Sequence, residues 1–243
     1  MPAVVPRLKH RIHVGEWLDE RDIDEIEVAR ALRELQKVNV FLGGYRALAS
    51  CLLPFFRERI GGSVAILDLG AGLADYPERM VRWGAKLGVD VRVTAVDVNS
   101  AMLHQAVRYL DSALGDGLRD RVQLVRADAR DLPFENGAFA VVSCSHFLHH
   151  FDDAHAIQLL REMDRLATSG VIVNDLHRHP LAYLGFRAIA TALPVSDVFA
   201  HDGAASIRRA FRPDELRELA AQANLRGAVV RRHWAYRLTL STI

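Results

Sequence analysis

Cysteine is nearly missing from this chain of 243 residues, which has only Cys51 and Cys144. Two thiols make no disulfide framework, and free thiols in a reducing cytoplasm are the simplest expectation. An excess of one charge is missing too. Lys and Arg total 31 against 30 Asp and Glu, so no net field draws the chain to nucleic acid or to an anionic membrane. No apolar run reaches the roughly 18 residues of a transmembrane candidate. The nearest, 181–195, is short and is interrupted by Arg187. Residues 1–17 alternate apolar with basic side chains and lack the apolar centre of a signal peptide, so none is expected. Internal repeats and low-complexity segments are lacking as well. The remaining composition is half apolar, a quarter charged and 7% aromatic, which fits a globular chain and not a disordered, collagenous or coiled-coil one. The length suits one large domain, or one domain with a small appendage.

Charge is uneven locally: acids dominate 16–34 and arginines dominate 207–243. Such runs are ordinarily solvated faces; the sharper alternatives are that the two ends touch or that the arginines meet an anionic group. The first 60 or so residues read as helical. Asp22 and Glu25 have the spacing of a capping box, and Ile23, Ile26, Ala29, Leu32 and Leu35 recur at helical spacing. Gly43-Gly44 breaks that helix. A second runs over about 45–60, with Pro54 a potential kink, and Gly61-Gly62 ends it. Beyond Gly62 the rhythm changes. Short apolar runs at 64–69, 91–96, 122–126, 139–144 and 171–174 alternate with amphipathic segments at 74–87, 100–114, 154–166, 180–193 and 213–223; an apolar β-prone tail covers 228–240. This alternation predicts parallel strands with crossover helices on both faces of a sheet. Unbroken apolar strands such as Val64-Ala65-Ile66-Leu67 suit burial on both faces. Ligands of such sheets bind beyond the carboxyl ends of the strands.

Those ends carry the chemistry. The first strand leaves through Asp68-Leu69-Gly70-Ala71-Gly72-Leu73-Ala74-Asp75, and its glycines permit a tight turn against a ligand. A dinucleotide fingerprint needs a third glycine where Asp75 stands, and a carboxylate there repels phosphate. No Gly-Lys-Ser/Thr follows, which excludes a Walker loop. The expected ligand is nucleoside-like, lacks phosphates and is cationic. Asp97 ends the second strand, where a carboxylate accepts bonds from ribose hydroxyls. Asp128 ends the third, in reach of an adenine amino group.

Residues 64–151 resemble the cofactor half of a class I S-adenosylmethionine-dependent methyltransferase, most closely the small-molecule branch that contains the ubiquinone and menaquinone methyltransferases. The first motif of that family corresponds to 64–72 and its ribose acid to Asp97. The Asp-x-Ser-x-x-Met-Leu that commonly follows appears as Asp97-Val98-Asn99-Ser100-Ala101-Met102-Leu103, with the Ser shifted by one. Its adenine motif corresponds to Asp128-Ala129, and its fourth strand to 139–145 followed by Leu148-His149-His150-Phe151. The likeness is good over 64–175 and loose in the flanks. Ala74 stands where the family often has Gly, a replacement expected to cost little.

The resemblance implies an α/β fold: a Rossmann-like, doubly wound seven-stranded sheet, mostly parallel with an antiparallel C-terminal strand. A helical lid over 1–62 would precede a methyltransferase domain over 63–243, with a substrate-lid insertion at about 176–212. It implies S-adenosyl-L-methionine as cofactor and S-adenosyl-L-homocysteine as product. The expected cofactor residues are Arg46, Asp68, Gly70, Ala71, Gly72, Asp97, Val98, Met102, Asp128, Ala129 and Ser145. Among them, Asp68 would accept the cofactor's ammonium and Arg46 would hold its carboxylate.

The acceptor site should lie beyond the fourth and fifth strands. Ser143-Cys144-Ser145-His146 stands where nucleic-acid amino methyltransferases carry Asp/Asn-Pro-Pro-Tyr/Phe, which counts against base methylation, and Cys144 lacks the Pro of a cytosine nucleophile. A neutral imidazole takes a proton from a phenol near neutrality; His149 is the first choice, then His177 and His146. The strand-like alternation of Asp175, His177 and His179 lacks a further ligand, so no metal is expected. The apolar segment 180–193, with Phe41, Tyr45, Phe55 and Phe56, suits a small hydrophobic acceptor of phenolic, polyketide-like or quinone type, methylated at oxygen or carbon in secondary metabolism. Arg208 and Arg209 are candidates for an acidic group on it. A cytoplasmic monomer or homodimer with no nucleic-acid or membrane partner completes the expectation. The alternatives are an RNA or protein methyltransferase of the same fold, a nicotinamide oxidoreductase, or a non-catalytic cofactor-binding module.

Overall fold

The structure is a computed structural model that describes residues 8–12, 14–20, 23–115 and 117–243, without the side chains of 19 and 20. Seven strands form one sheet in the order β3-β2-β1-β4-β5-β7-β6: β1 Ser63–Leu69, β2 Asp90–Asp97, β3 Val122–Arg126, β4 Phe139–Ser145, β5 Ala167–Leu176, β6 Val229–His233 and β7 Arg237–Ser241. The first five are parallel. Strand β7 enters antiparallel beside β5, and β6 pairs with it at the edge. Strand order reverses beside β1, so the crevice of this topology opens beyond the ends of β1 and β4.

Helices α4 Asp75–Leu87, α5 Ser100–Ala113, α6 Asp153–Leu166 and α9 Pro213–Gln222 cover the sheet. Alternation along β1 decides which core each residue enters. Leu67 and Leu69 pack with Met163 of α6 and Leu216 of α9, whereas Val64 and Ile66 pack with Met80 of α4 and Leu110 of α5. The second face also takes α3 Gly44–Arg57, whose Leu48, Leu52 and Phe56 are fully buried. Pro54 sits inside α3 without ending it.

Helix α2 Glu25–Phe41 meets α3 at a bend of 62°, where Gly43 has φ +74°. Among the described residues no single helix is long and apolar enough to cross a membrane. The N-cap of α2 is Asp24, which accepts from the Ile26 and Glu27 N–H groups; Asp22, expected in that role, lies outside the described residues. The inner face of α2 is also shifted from the expected one. Val28, Ala31, Leu32 and Asn39 are buried, while Ile26 is 77% exposed.

Two further helices follow β5: α7 Pro180–Ala192 and α8 Asp197–Arg209. His201 and Asp202 lie within α8. Ser196 caps that helix through the Phe199 N–H. The side chain of Asp202 accepts from the N–H groups of Trp17 and Leu18 at 2.7 and 3.1 Å, which ties α8 to the short helix α1 Trp17–Glu20.

Candidate active site

A cavity of about 370 Å3 opens at the carboxyl ends of β1, β2 and β4. Its floor is the turn after β1. Gly70 and Gly72 adopt φ +68° and +52°, and a Cβ on Gly70 would come within 2.2 Å of the Phe147 ring. Gly72 faces the open cavity, with only Leu32 at 4.0 Å from an added Cβ. The Gly72 N–H donates to Asp97 Oδ2 at 2.8 Å, and the Asn99 N–H donates to Asp97 Oδ1 at 2.9 Å. Asn99 in turn caps α5. One carboxylate thus joins the glycine turn to the end of β2 and the start of α5, which fixes it at the cavity wall. Ala74 has φ +59° at the start of α4, a left-handed conformation in which Ala is strained and Gly is not. The replacement is therefore not free, as the sequence reading supposed.

Beneath the turn, buried Asp68 accepts from the Ser143 hydroxyl at 2.7 Å, and burial raises its carboxyl to about 7. Asp75, also buried and raised mainly by burial, accepts from the Tyr45 hydroxyl at 2.5 Å and from the Asn39 amide at 3.3 Å. The Tyr76 hydroxyl beside them is buried with no hydrogen-bond partner among the described residues.

The end of β4 supplies the opposite wall. Ser145 lines the cavity, and His146 follows in the left-handed region at φ +54°, a conformation that a bulky residue keeps only where its surroundings enforce it. His149 is buried between two acids. Its Nδ1 lies 2.6 Å from Asp175 Oδ1, and its backbone N–H donates to Asp175 Oδ2 at 3.1 Å. Its Nε2 lies 3.4 Å from Glu16 Oε1 without hydrogen-bond alignment. Burial opposes a charge on this imidazole, but the two carboxylates outweigh it and hold it at about 9, while both acids fall to about 2. Glu16, His149 and His150 bring potential ligand atoms within 4.8 Å of one another. The chain supplies positive charge there itself, since Arg209 Nη1 is 3.8 Å from Glu16 Oε1.

A second cavity, of about 610 Å3, adjoins the first. Leu35, His146 and Ser206 line both. Its walls are apolar side chains of α2, α7 and α8, including Val38, Phe186, Ile189, Phe199 and Ile207. Its polar end is built from His177, His179, Arg232, Tyr236 and Arg237. The β6–β7 hairpin forms the rim, with Ala235 and Tyr236 at φ +57° and +56° and Tyr236 stacked on His179 at 4.7 Å between centroids.

Residues 66–170 match a family model described as a methyltransferase domain. This stretch resembles the cofactor half of class I, S-adenosylmethionine-dependent methyltransferases. Over 114 residues it is 33% identical to the ubiquinone/menaquinone biosynthesis C-methyltransferase UbiE of Hahella chejuensis (47% of this chain, 43% of that protein). Over 147 residues it is 36% identical to ajmaline N-methyltransferase of Rauvolfia serpentina (56% and 47%). The chain thus spans about half the length of these curated relatives. Its fold is similar to that of a SAM dependent methyltransferase from Aquifex aeolicus, with a TM-score of 0.60 at 14% identity over 90% of this chain and 98% of that one.

The first cavity gathers nearly all of the residues expected from the sequence to hold the cofactor: Asp68, Gly70, Ala71, Gly72, Asp97, Val98, Met102, Asp128, Ala129 and Ser145 line it. Asp128 is turned toward Arg130, which pairs with it at 2.6 Å and lowers its carboxyl. Arg46 is not among the lining residues. It is exposed on α3, because the buried face of that helix is formed by Tyr45, Ala47 and Leu48. His146 and His149 line the first cavity, and His177 lines only the second. Arg209 donates to the carbonyls of His149, His150 and Val14 and so braces the chain after β4. Sequence reasoning passed over Glu16, Asn39, Tyr76 and Arg237. The signal for Arg237 was the tail Arg237-Leu238-Thr239-Leu240-Ser241, a strand with one polar face and buried throughout.

Proposed function

We propose that this chain transfers a methyl group from S-adenosylmethionine to an oxygen or carbon of a small hydrophobic acceptor of phenolic, polyketide-like or quinone type. The observation that carries the reading is the pair of adjoining cavities: one ringed by strand-end acids, the other walled by apolar side chains of α2, α7 and α8, with His146 lining both. The cofactor fits the first by its chemistry. The open side of Gly72 admits a ligand against the backbone, Asp97 offers carboxylate oxygens with more than one acceptor position each, and Asp68 lends negative potential for a cation. When bound, this cofactor supplies an electrophilic methyl group on a sulfonium. The side chains of this protein orient both partners, and the apolar walls exclude water from the acceptor.

The helices of 1–62 and the segment 176–212 act as lids in this reading, because α2, α7 and α8 all contribute to the second cavity. His149 would be a proton acceptor only after losing the proton that Asp175 and Glu16 hold on it, so its role is to anchor the chain after β4.

Titration calorimetry with S-adenosylhomocysteine, followed by mass spectrometry of phenols, naphthols, quinols and fatty acids incubated with methyl-labelled cofactor, tests the reading. Heat on titration and label on a hydrophobic acceptor are expected. Absence of heat overturns the cofactor assignment, and label appearing only on RNA or protein overturns the acceptor assignment.

A further inference from the structure

Among the described residues Arg178, Arg209 and Arg237 are buried, and the first two are satisfied. Arg178 pairs with Glu215 and donates to the carbonyls of Leu8 and Ala210. Arg209 donates to three carbonyls. The third, Arg237 on β7, is 1% exposed, and among the described residues no carboxylate oxygen lies within the 4.0 Å of an ion pair. Its Nε has no hydrogen-bond partner among the described residues. Its two terminal nitrogens reach only Asn39 Oδ1 and His146 Nδ1, both at 3.4 Å, which is long for a hydrogen bond. A buried guanidinium without an anion is costly, so the site is incomplete until an anion joins it.

Arg237 lines the second cavity and not the first, so the anion belongs to the acceptor. The neighbouring imidazoles point the same way. Burial and Arg237 push His146 well below its ordinary range, which leaves it neutral and a reluctant base. His149 already carries its proton. Neither is matched to take a proton from the acceptor near neutrality.

We propose that Arg237 binds an ionised oxygen of the acceptor, and that this protein methylates acidic enols or phenols, which enter as enolates or phenolates with an apolar body against α7 and α8. The proposal rests on the methyltransferase reading and deepens it. In the transfer, the electron pair of the enolate oxygen, or of its conjugated carbon, forms the new bond to the methyl carbon. The carbon–sulfur bond breaks and sulfur keeps its electron pair. The negative acceptor and the sulfonium thereby neutralise each other. Methylation at oxygen releases no proton; methylation at carbon gives a ketone whose ring proton passes to solvent when it enolises again.

Calorimetry with 4-hydroxycoumarin, an enol ionised at neutral pH, and coumarin, its neutral parent, tests this in the presence of saturating S-adenosylhomocysteine. Wild-type protein is expected to prefer 4-hydroxycoumarin by roughly tenfold or more, as for a charge-assisted bond to a buried partner. Arg237→Met should abolish the preference and leave affinity for S-adenosylhomocysteine within about twofold; methionine fills similar apolar space, so the fold should tolerate it. Equal or undetectable binding of the two coumarins by wild-type protein overturns the proposal, and that comparison needs no variant. A loss of S-adenosylhomocysteine affinity in Arg237→Met also overturns it, because the arginine would then serve the cofactor's carboxylate. Failure of wild-type protein to bind S-adenosylhomocysteine is a separate result, which sinks the methyltransferase reading itself.

Discussion

The His149 ring and the Asp175 carboxylate, 2.6 Å apart and both about 1% exposed, form a charged pair in the interior just beyond β4. The pair has a consequence for stability against pH. The folded protein holds His149 at about 9, above the ordinary imidazole value of 6.5. Its contribution is therefore fully present below 6.5 and is lost as pH rises through 9. Asp175 and Glu16 are held at about 2, so their contributions persist above their ordinary range and vanish only in strong acid. Asp68 is half-titrated near 7, and the buried tyrosines Tyr45 and Tyr76 ionise above their ordinary value. Between pH 8 and 10 the imidazole acts beside Cys144, whose thiol burial raises well above its ordinary value, so a His149 variant is needed to separate the two. Thermal unfolding should show a stability loss of roughly 2–3 kcal/mol across the alkaline range, from the size of the shift. His149→Gln should be less stable at pH 7 and lack that slope. An unchanged slope in the variant would remove the charged-pair assignment.

Asp97 makes its bonds to backbone N–H groups on two sides of the first cavity. Asp97→Ala removes both, together with the acceptor offered to a ribose. S-adenosylhomocysteine should bind about tenfold to a hundredfold more weakly, as expected for charged hydrogen bonds lost from a ligand site. Asp97→Asn keeps one side-chain oxygen and should fall between the two in calorimetry. Wild-type affinity in Asp97→Ala would move the ribose contact elsewhere.

The parallel strands and the lining of the first cavity were legible in the sequence because their physics is local. Continuous Val, Ile and Leu runs mean burial on both faces, and Gly or Asp at a strand end means a turn beside a site. The residues of the second cavity were not legible, because their meaning depends on distant partners. Arginine is ordinarily a surface residue, and only the antiparallel register of β7 beside β5, with Leu176 opposite Arg237, buries this one. Arg46 failed for the converse reason: proximity to a glycine break says nothing about which face of α3 turns inward. Helix α8 was missed because its polar members, Asp202 and Arg209, are satisfied by the chain before α2 and after β4, contacts that periodicity does not reveal.

Ala74 opens α4 at φ +59°. Left-handed backbone costs a non-glycine residue about 1–2 kcal/mol, offset in part by the greater freedom that glycine has when unfolded. Ala74→Gly should therefore raise the melting temperature slightly and leave S-adenosylhomocysteine affinity intact. Differential scanning calorimetry measures the first and titration the second; a lower melting temperature would show that the turn carries no strain.

Gly203 on α8 lies against the Phe186 ring of α7, and a Cβ there would stand 2.1 Å from the ring's Cζ. That ring is a wall of the second cavity and does not line the first. Gly203→Ala forces Phe186 to move or α7 and α8 to part, since overpacking of this kind costs about 1–3 kcal/mol. The two cavities should then separate experimentally. S-adenosylhomocysteine should bind as to wild-type protein, whereas methylation of any acceptor found in the labelling panel should drop at least about tenfold, as follows when alignment of the reacting atoms is disturbed. If turnover survived while the melting temperature fell, the acceptor would bind away from α7 and α8, and the lid role of 176–212 would fall with it.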